Sequence, residues 1–323
     1  MRAITQHRAG GVEVLELAEV ARPSPSMTEI LVRVHAAGVN PTDWKTRARG
    51  RFAVGTTPPF TLGFDVSGTV EQVGTGVAIV EVGDEVFGMP RYPHPAGAYA
   101  EYVVAPARHF ASKPPCIDHI QAAALPLASL TAWQALVDTA DIKPRQRVLI
   151  HAAAGGVGHL AVQIAKAHGA YVIGTARRHK HELLRRLGAD EVIDYTTEDF
   201  GRLRDVDVVL DPIGGDYAAR SIATLRPGAL LISLVPIDPA LRSDVARCRD
   251  LRVAHMLVEP DHAGMQAIAR LVETRQLTPL IDRVFPLERA ADAHLRGETN
   301  RTTGKIVLAV DPALVDFHAG APR

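Results

Sequence analysis

Apolar and polar positions divide the chain into two regimes. Up to about residue 110, apolar residues come in short runs punctuated by Gly and Pro. ILVRVHAAGV at 30–39 alternates apolar and polar positions at its start, as a half-buried strand does. Gly63 to Val70 leads into another strand, Val82 to Gly88 reads as a turn and a strand, and Gly97 to Val104 as a further strand. Between the first two, Asn40-Pro41-Thr42-Asp43 resembles a helix entry, with Asn40 or Thr42 as cap and Trp44 beginning the helical stretch. Past Pro114-Pro115 an alanine-rich helical segment begins.

From Arg147 the period changes. RVLI at 147–150, a helix from Leu160 to His168, YVIGT at 171–175, a helix from Glu182 to Leu187, EVID at 191–194, DVVL at 207–210, a helix near Tyr217 to Leu225 and ALLISL at 229–234 follow one another. Strands alternating with helices at this spacing predict an α/β unit, a doubly wound parallel sheet of the Rossmann type. A helix from Ala263 to Thr274, a strand from Leu280 to Phe285, a helix from Leu287 to Leu295 and a strand from Lys305 to Val310 return to the β-rich part. The expected organisation is a β-rich domain at 1–120, a dinucleotide-type domain at 121–278 and a return segment at 279–323.

Within the second regime, RVLIHAAAGGVG at 147–158 is a strand, a turn of small residues and a helix start. The frame is Ala153, Gly155, Gly158, so the first glycine of the usual dinucleotide pattern is replaced. Such a turn lets backbone N–H groups and the positive end of a helix dipole approach a pyrophosphate. Ala154, Gly155, Gly156, Val157 and Gly158 are the expected cradle. An NAD-type unit carries Asp or Glu about 20 residues beyond the glycines to bind the ribose hydroxyls. Here that position is Ala176, preceded by Thr175 and followed by Arg177, Arg178, His179 and Lys180. A carboxylate repels a ribose 2'-phosphate and a guanidinium binds it, so the expected cofactor is NADP(H), with Thr175, Arg177, Arg178 and Lys180 around it. The alternative is that the cations begin a solvated helix, although cations at a helix start oppose its dipole.

Composition narrows the rest. Thirty-six basic residues balance thirty-six acidic ones, so no global field recruits nucleic acid or an anionic membrane. Two cysteines, Cys116 and Cys248, make neither a disulfide framework nor a Cys-rich metal lobe. The first residues lack the apolar core of a signal peptide and no apolar run reaches membrane-spanning length, which fits a cytoplasmic protein without a membrane partner. The fourteen histidines read as dispersed surface residues.

The order of these parts, with GVNPTDWK, GFDVSGTV, GDEVFG, GAYAEYVV, AAAGGVG and TGKIVL, resembles the medium-chain dehydrogenase/reductase superfamily over nearly the whole chain. AAAGGVG and the vacant zinc-ligand positions resemble its quinone oxidoreductase branch. The resemblance implies a GroES-like fold for the β-rich domain, a site in the cleft between the domains, and a homodimer. Zinc-dependent members have Cys in the segment matching GVNPTD and His-Glu where this chain has Phe64-Asp65, which makes Asn40 and Phe64 the ligand positions and no metal the expectation. Without a Lewis acid, an electron-poor acceptor suits the chemistry: a quinone or other conjugated carbonyl, to which hydride adds while the charge delocalises to oxygen.

The resemblance also places Asn40 near nicotinamide and acceptor, where it would hydrogen-bond the acceptor oxygen or simply cap the helix. It puts Thr131 near the nicotinamide and phosphates and Tyr195 near the adenosine. Asp43 reads as a first-turn charge or structural acceptor, and Asp65 as a residue ordering the substrate domain. Trp44, Phe52 and Phe60 either shape an apolar acceptor pocket or pack the core. An alkenal or enoyl-thioester reductase is the alternative enzyme, and an NADPH-binding sensor the alternative of another class.

Overall fold

The computed structural model describes residues 1–51, 58–238 and 250–314. In chain order its elements are β1 (Arg2–Gln6), β2 (Leu15–Glu19), β3 (Glu29–Val39), α1 (Pro41–Arg49), β4 (Phe60–Thr61), β5 (Asp65–Val73), β6 (Glu85–Gly88), β7 (Tyr102–Pro106), β8 (Phe110–Ser112), α2 (His119–Ala123) and α3 (Pro126–Trp133). Then follow β9 (Arg147–Ile150), α4 (Gly158–Ala167), β10 (Tyr171–Thr175), α5 (His181–Arg186), β11 (Glu191–Ile193), β12 (Val206–Asp211), α6 (Asp216–Ile222), β13 (Leu225–Ser233) and β14 (Arg252–His255). The helix His262–Glu273, β15 (Ile281–Pro286), the helix Ala290–Glu298 and β16 (Lys305–Ala309) close the chain.

Two compact units form. The first comprises Met1–Leu130, Glu259–Arg275 and Pro279–Arg323, and the second Thr131–Val258 with Gln276–Thr278. Residues 121–130 and 259–275 thus pack with the β-rich part: the Leu127 N–H donates to Asp65 Oδ1 at 2.7 Å, and a ring nitrogen of His262 bonds the Phe110 carbonyl at 2.6 Å.

In the first unit β3 is the spine. It pairs antiparallel with β5, β7 and β16, while β1 forms a separate sheet with β2 and β4. β15 lies parallel to β16 because the helix Ala290–Glu298 connects them, and a crossover of that kind returns the chain in the same direction. The register sets Gly38 opposite Asp65 and Val39 opposite Ile306. Three residues from distant parts of the sequence therefore converge where β3 ends: Asn40 just after it, Asp65 at the start of β5 and Lys305 at the start of β16. The Lys305 ammonium, 3% exposed, donates to Asn40 Oδ1, to the Val39 carbonyl at 3.1 Å and to Asp65 Oδ2 at 3.3 Å.

Two local expectations shift. The strand expected from Gly97 starts at Tyr102, because the backbone of 98–101 bonds instead to Gly63, Leu62 and Arg2. The alanine-rich segment divides into α2, α3 and a π turn at Gln134–Thr139, with Pro126 opening α3, where a missing N–H costs nothing.

The second unit is a parallel sheet in the order β11-β10-β9-β12-β13-β14. The order reverses between β9 and β12, and in such sheets ligands bind at the carboxyl ends of the strands flanking the reversal. Its core gathers Leu149, Ile173, Phe200, Val209 and Leu231.

Replacing Lys305→Met is expected to leave the buried Asp65 charge without its cation and to lower stability by about 3–5 kcal/mol. Urea unfolding checks this, and Lys305→Met combined with Asp65→Asn is expected to recover a substantial part of the loss.

Candidate active site

In the second unit the small-residue turn sits directly after β9. Gly158 is required by space: a Cβ there would lie 2.3 Å from the Ala152 carbonyl oxygen. The turn closes through the Gly155 N–H on the Ala152 carbonyl at 2.8 Å, and no side chain caps α4. Among the described residues, the N–H groups of Gly156, Val157 and Gly158 have no protein partner. Three unpaired donors at the start of a helix suit a pyrophosphate.

At the end of β10, Ala176 is buried while Arg177, Arg178 and His179 are exposed. Arg177 Nε donates to the Tyr195 hydroxyl at 3.2 Å, which brings two of the expected residues together. The Arg178 N–H donates to Asp194 Oδ2 at 3.1 Å, and its guanidinium has no partner among the described residues. Hydrogen bonds from Thr196, then the Arg178 N–H, hold the Asp194 carboxyl below its usual range.

Thr175 has a different environment from the one expected for a cofactor residue. Its side chain is buried and its hydroxyl bonds His151 Nδ1 at 3.2 Å. Ser221 donates to the Tyr217 carbonyl at 2.6 Å and so accepts from His151 Nε2 at 2.8 Å, which makes Nδ1 the acceptor for Thr175. Burial, with Arg220 nearby, lowers the His151 pKa to about 3. His151, His159, His181 and His294 are buried, so the expectation of dispersed surface histidines fails for these four, whose rings bond within the protein, while His7, His94, His179 and His255 are exposed. Thr131 is also buried, in α3.

In the first unit Asn40 is 2% exposed and its side chain is engaged at both ends. Nδ2 donates to Asp65 Oδ2 at 2.8 Å and Oδ1 accepts from Lys305. Its own N–H donates to Asp43 Oδ2 at 2.7 Å, half of a capping box at the start of α1. Asp43 is fully buried, and Oδ2 also accepts from the Tyr99 hydroxyl at 2.9 Å, while Oδ1 has no partner. Arg47 donates to His294 Nδ1 at 3.1 Å, which leaves Nε2 to donate to the Tyr99 oxygen at 3.3 Å. A chain of donors thus ends on Asp43. Burial dominates its titration and raises its pKa to about 7.

Trp44 is half-buried against the helix Ala290–Glu298, where its ring occupies the space a Cβ on Gly297 would need. Phe60 is buried in β4. Phe52 lies outside the described residues.

Comparison with known proteins matches this architecture. Residues 26–115 match the alcohol dehydrogenase GroES-like domain and residues 187–308 the family described as zinc-binding dehydrogenase. A chloroplastic quinone-oxidoreductase homolog of Spinacia oleracea is 33% identical, covering 93% of this chain and 95% of its own. A chloroplastic NADPH-dependent alkenal/one oxidoreductase of Arabidopsis thaliana is 35% identical, covering 95% of this chain and 79% of its own. The solved quinone oxidoreductase of Coxiella burnetii superposes with a TM-score of 0.87 at 37% identity, over 96% of this chain and 99% of that one. The chain belongs to the medium-chain dehydrogenase/reductase oxidoreductases. Its place among them is in the quinone-oxidoreductase-like branch.

The zinc in one family description does not fit the residues here. Asn40 presents an amide whose oxygen already holds an ammonium, and Phe64 presents a phenyl ring packed edge-on to Tyr92 at 4.9 Å. Neither is a zinc donor.

An acid whose pKa is raised on folding binds its proton more tightly in the native state, so stability falls as pH rises from the unfolded value near 4 to the folded one. For Asp43 the window runs up to about 7 and the loss amounts to at most about 4 kcal/mol. Asp43→Asn is expected to flatten the decline between pH 5 and pH 8, read from urea midpoints; an unchanged slope would assign it elsewhere.

Proposed function

We propose that this protein is an NADPH-dependent, zinc-independent reductase of quinones or other conjugated carbonyl compounds. The observation that carries the cofactor choice is the end of β10, where Ala176 stands in place of an acid and two exposed arginines follow. The unpaired N–H groups of Gly156, Val157 and Gly158 would hold the pyrophosphate, in the cradle formed with Ala154 and Gly155. Arg177, Arg178 and Lys180 would hold the 2'-phosphate, with Tyr195 beside the adenosine and Thr131 toward the nicotinamide. Thr175 would act by fixing His151 beneath the strand ends. When bound, the nicotinamide supplies a hydride.

Asn40 and Phe64 support the acceptor class. With no donor set for a Lewis acid among the described residues, the acceptor would delocalise charge by itself, and conjugation to a carbonyl provides that. With Asn40 held between Asp65 and Lys305, its role is to order the turn that begins α1, and Trp44 would line the acceptor side with its exposed edge. The name of the Arabidopsis relative favours a second reading in which the acceptor is an alkenal or enone. Family resemblance supports a homodimer, and no described helix is long and apolar enough to cross a membrane.

Purified protein mixed with NADPH and a panel of quinones, alkenals and simple ketones tests the reading through loss of reduced-nicotinamide absorbance. Turnover confined to the conjugated members is expected, and tight NADPH binding without turnover would favour a sensor. Arg177→Ala with Arg178→Ala is expected to weaken NADPH binding about tenfold or more while sparing NADH. An unchanged affinity ratio would remove the 2'-phosphate assignment.

A further inference from the structure

His151 is the residue at which the chain leaves β9, and three neighbours fix it. Its N–H donates to the Leu210 carbonyl of β12 at 3.1 Å, Nε2 donates to Ser221 of α6 at 2.8 Å, and Nδ1 accepts from Thr175 at the end of β10 at 3.2 Å. The ring is wholly buried and meets Phe200 and Tyr217 edge to face, with centroids 4.6 Å and 5.1 Å away. Backbone pairing of β9 with β10 ends at Ile150 opposite Gly174. One residue further on, the imidazole and the Thr175 hydroxyl continue the connection through side chains.

The chain beyond each partner of that bond carries one of the two groups of candidate phosphate donors. After His151 comes Ala152 at φ 48°, in the left-handed region that non-glycine residues seldom adopt. The turn it starts presents the unpaired N–H groups of Gly156, Val157 and Gly158. The Ala153 N–H donates to the Thr175 carbonyl at 3.0 Å, so this turn is tied to β10 a second time. After Thr175 come the buried Ala176 and the exposed Arg177 and Arg178. His151 and Thr175 therefore stand between the turn and the cations.

We propose that His151 is a positioning residue for cofactor discrimination: its bond to Thr175 sets the separation between the pyrophosphate turn and the cations after β10, so that one dinucleotide engages both. This deepens the NADPH reading above and rests on it. A ligand held at two points gains from both only when their spacing matches its own, and a loosened connection loses that gain without removing either contact. NADPH would be held at both points, whereas NADH, lacking the 2'-phosphate, would be held at the turn alone. An imidazole suits the place because its two nitrogens serve different elements at once, one as donor and the other as acceptor.

The test is equilibrium titration with NADPH and with NADH, alongside urea unfolding of each variant. His151→Phe keeps a ring and removes both side-chain bonds. It is expected to weaken NADPH binding about tenfold and NADH binding no more than about twofold. Thr175→Val keeps the shape of the threonine and removes only its hydroxyl; it is expected to narrow the preference in the same sense, and it carries the test if His151→Phe does not fold. His151→Asn sets an amide oxygen where Nδ1 stood and is expected to retain the preference despite lower stability, whereas His151→Gln, whose amide reaches toward Ser221, is expected to lose it. Equal losses for the two nucleotides, or a preference left unchanged in Thr175→Val, confine His151 to packing and overturn the proposal alone. A wild type that binds NADH as tightly as NADPH overturns the 2'-phosphate reading and this proposal with it.

Discussion

A single buried ammonium ties the first unit together. Lys305 reaches from the start of the last strand to Asn40 and Asp65, and Asp65 in turn accepts the Asn40 amide and the Leu127 N–H. Four segments distant in sequence meet at two carboxylate oxygens. A charge pair taken out of water is stable only when its remaining hydrogen-bonding capacity is filled, and here the backbone and one carboxamide fill it. The start of α1, and with it Thr42, Asp43 and Trp44, is placed by this arrangement. Asp43 is the tolerated expense: a carboxyl with one oxygen unpartnered, kept in place by the donors that end on it.

The second unit works on a different principle, leaving groups unpaired where the first unit pairs them. Three N–H groups at the start of α4 and one exposed guanidinium after β10 have no partner within the chain among the described residues. A folded protein keeps such donors where water or a ligand can satisfy them. Their placement follows from the strand order, because β9 and β10 end on the same edge of a parallel sheet.

Much of this is legible in the sequence, and what is not has a physical reason. The alternation of strand and helix from Arg147 predicts the parallel sheet, since each of its elements carries its own period. The turn at 152–158 and the cations at 177–180 are local as well, and show as composition. The Lys305 bonds join residues 240 and 265 positions apart, and nothing near Lys305 announces them. Asp43 reads as an ordinary first-turn acid, because burial is not written in helix periodicity. The aromatic residues show the same limit: that Phe60 is buried in β4 and that one edge of Trp44 packs on the helix Ala290–Glu298 is not written in the motifs around them.

The central claim is that Asn40 and Phe64, which stand where zinc-dependent relatives carry ligands, serve structure and that the proposed reduction needs no bound metal. The direct measurement is NADPH-driven reduction of a conjugated acceptor after exhaustive chelation, with metal content determined on the same sample. The account predicts metal-free protein with an undiminished rate. A rate that collapses on chelation and returns with stoichiometric zinc would contradict it.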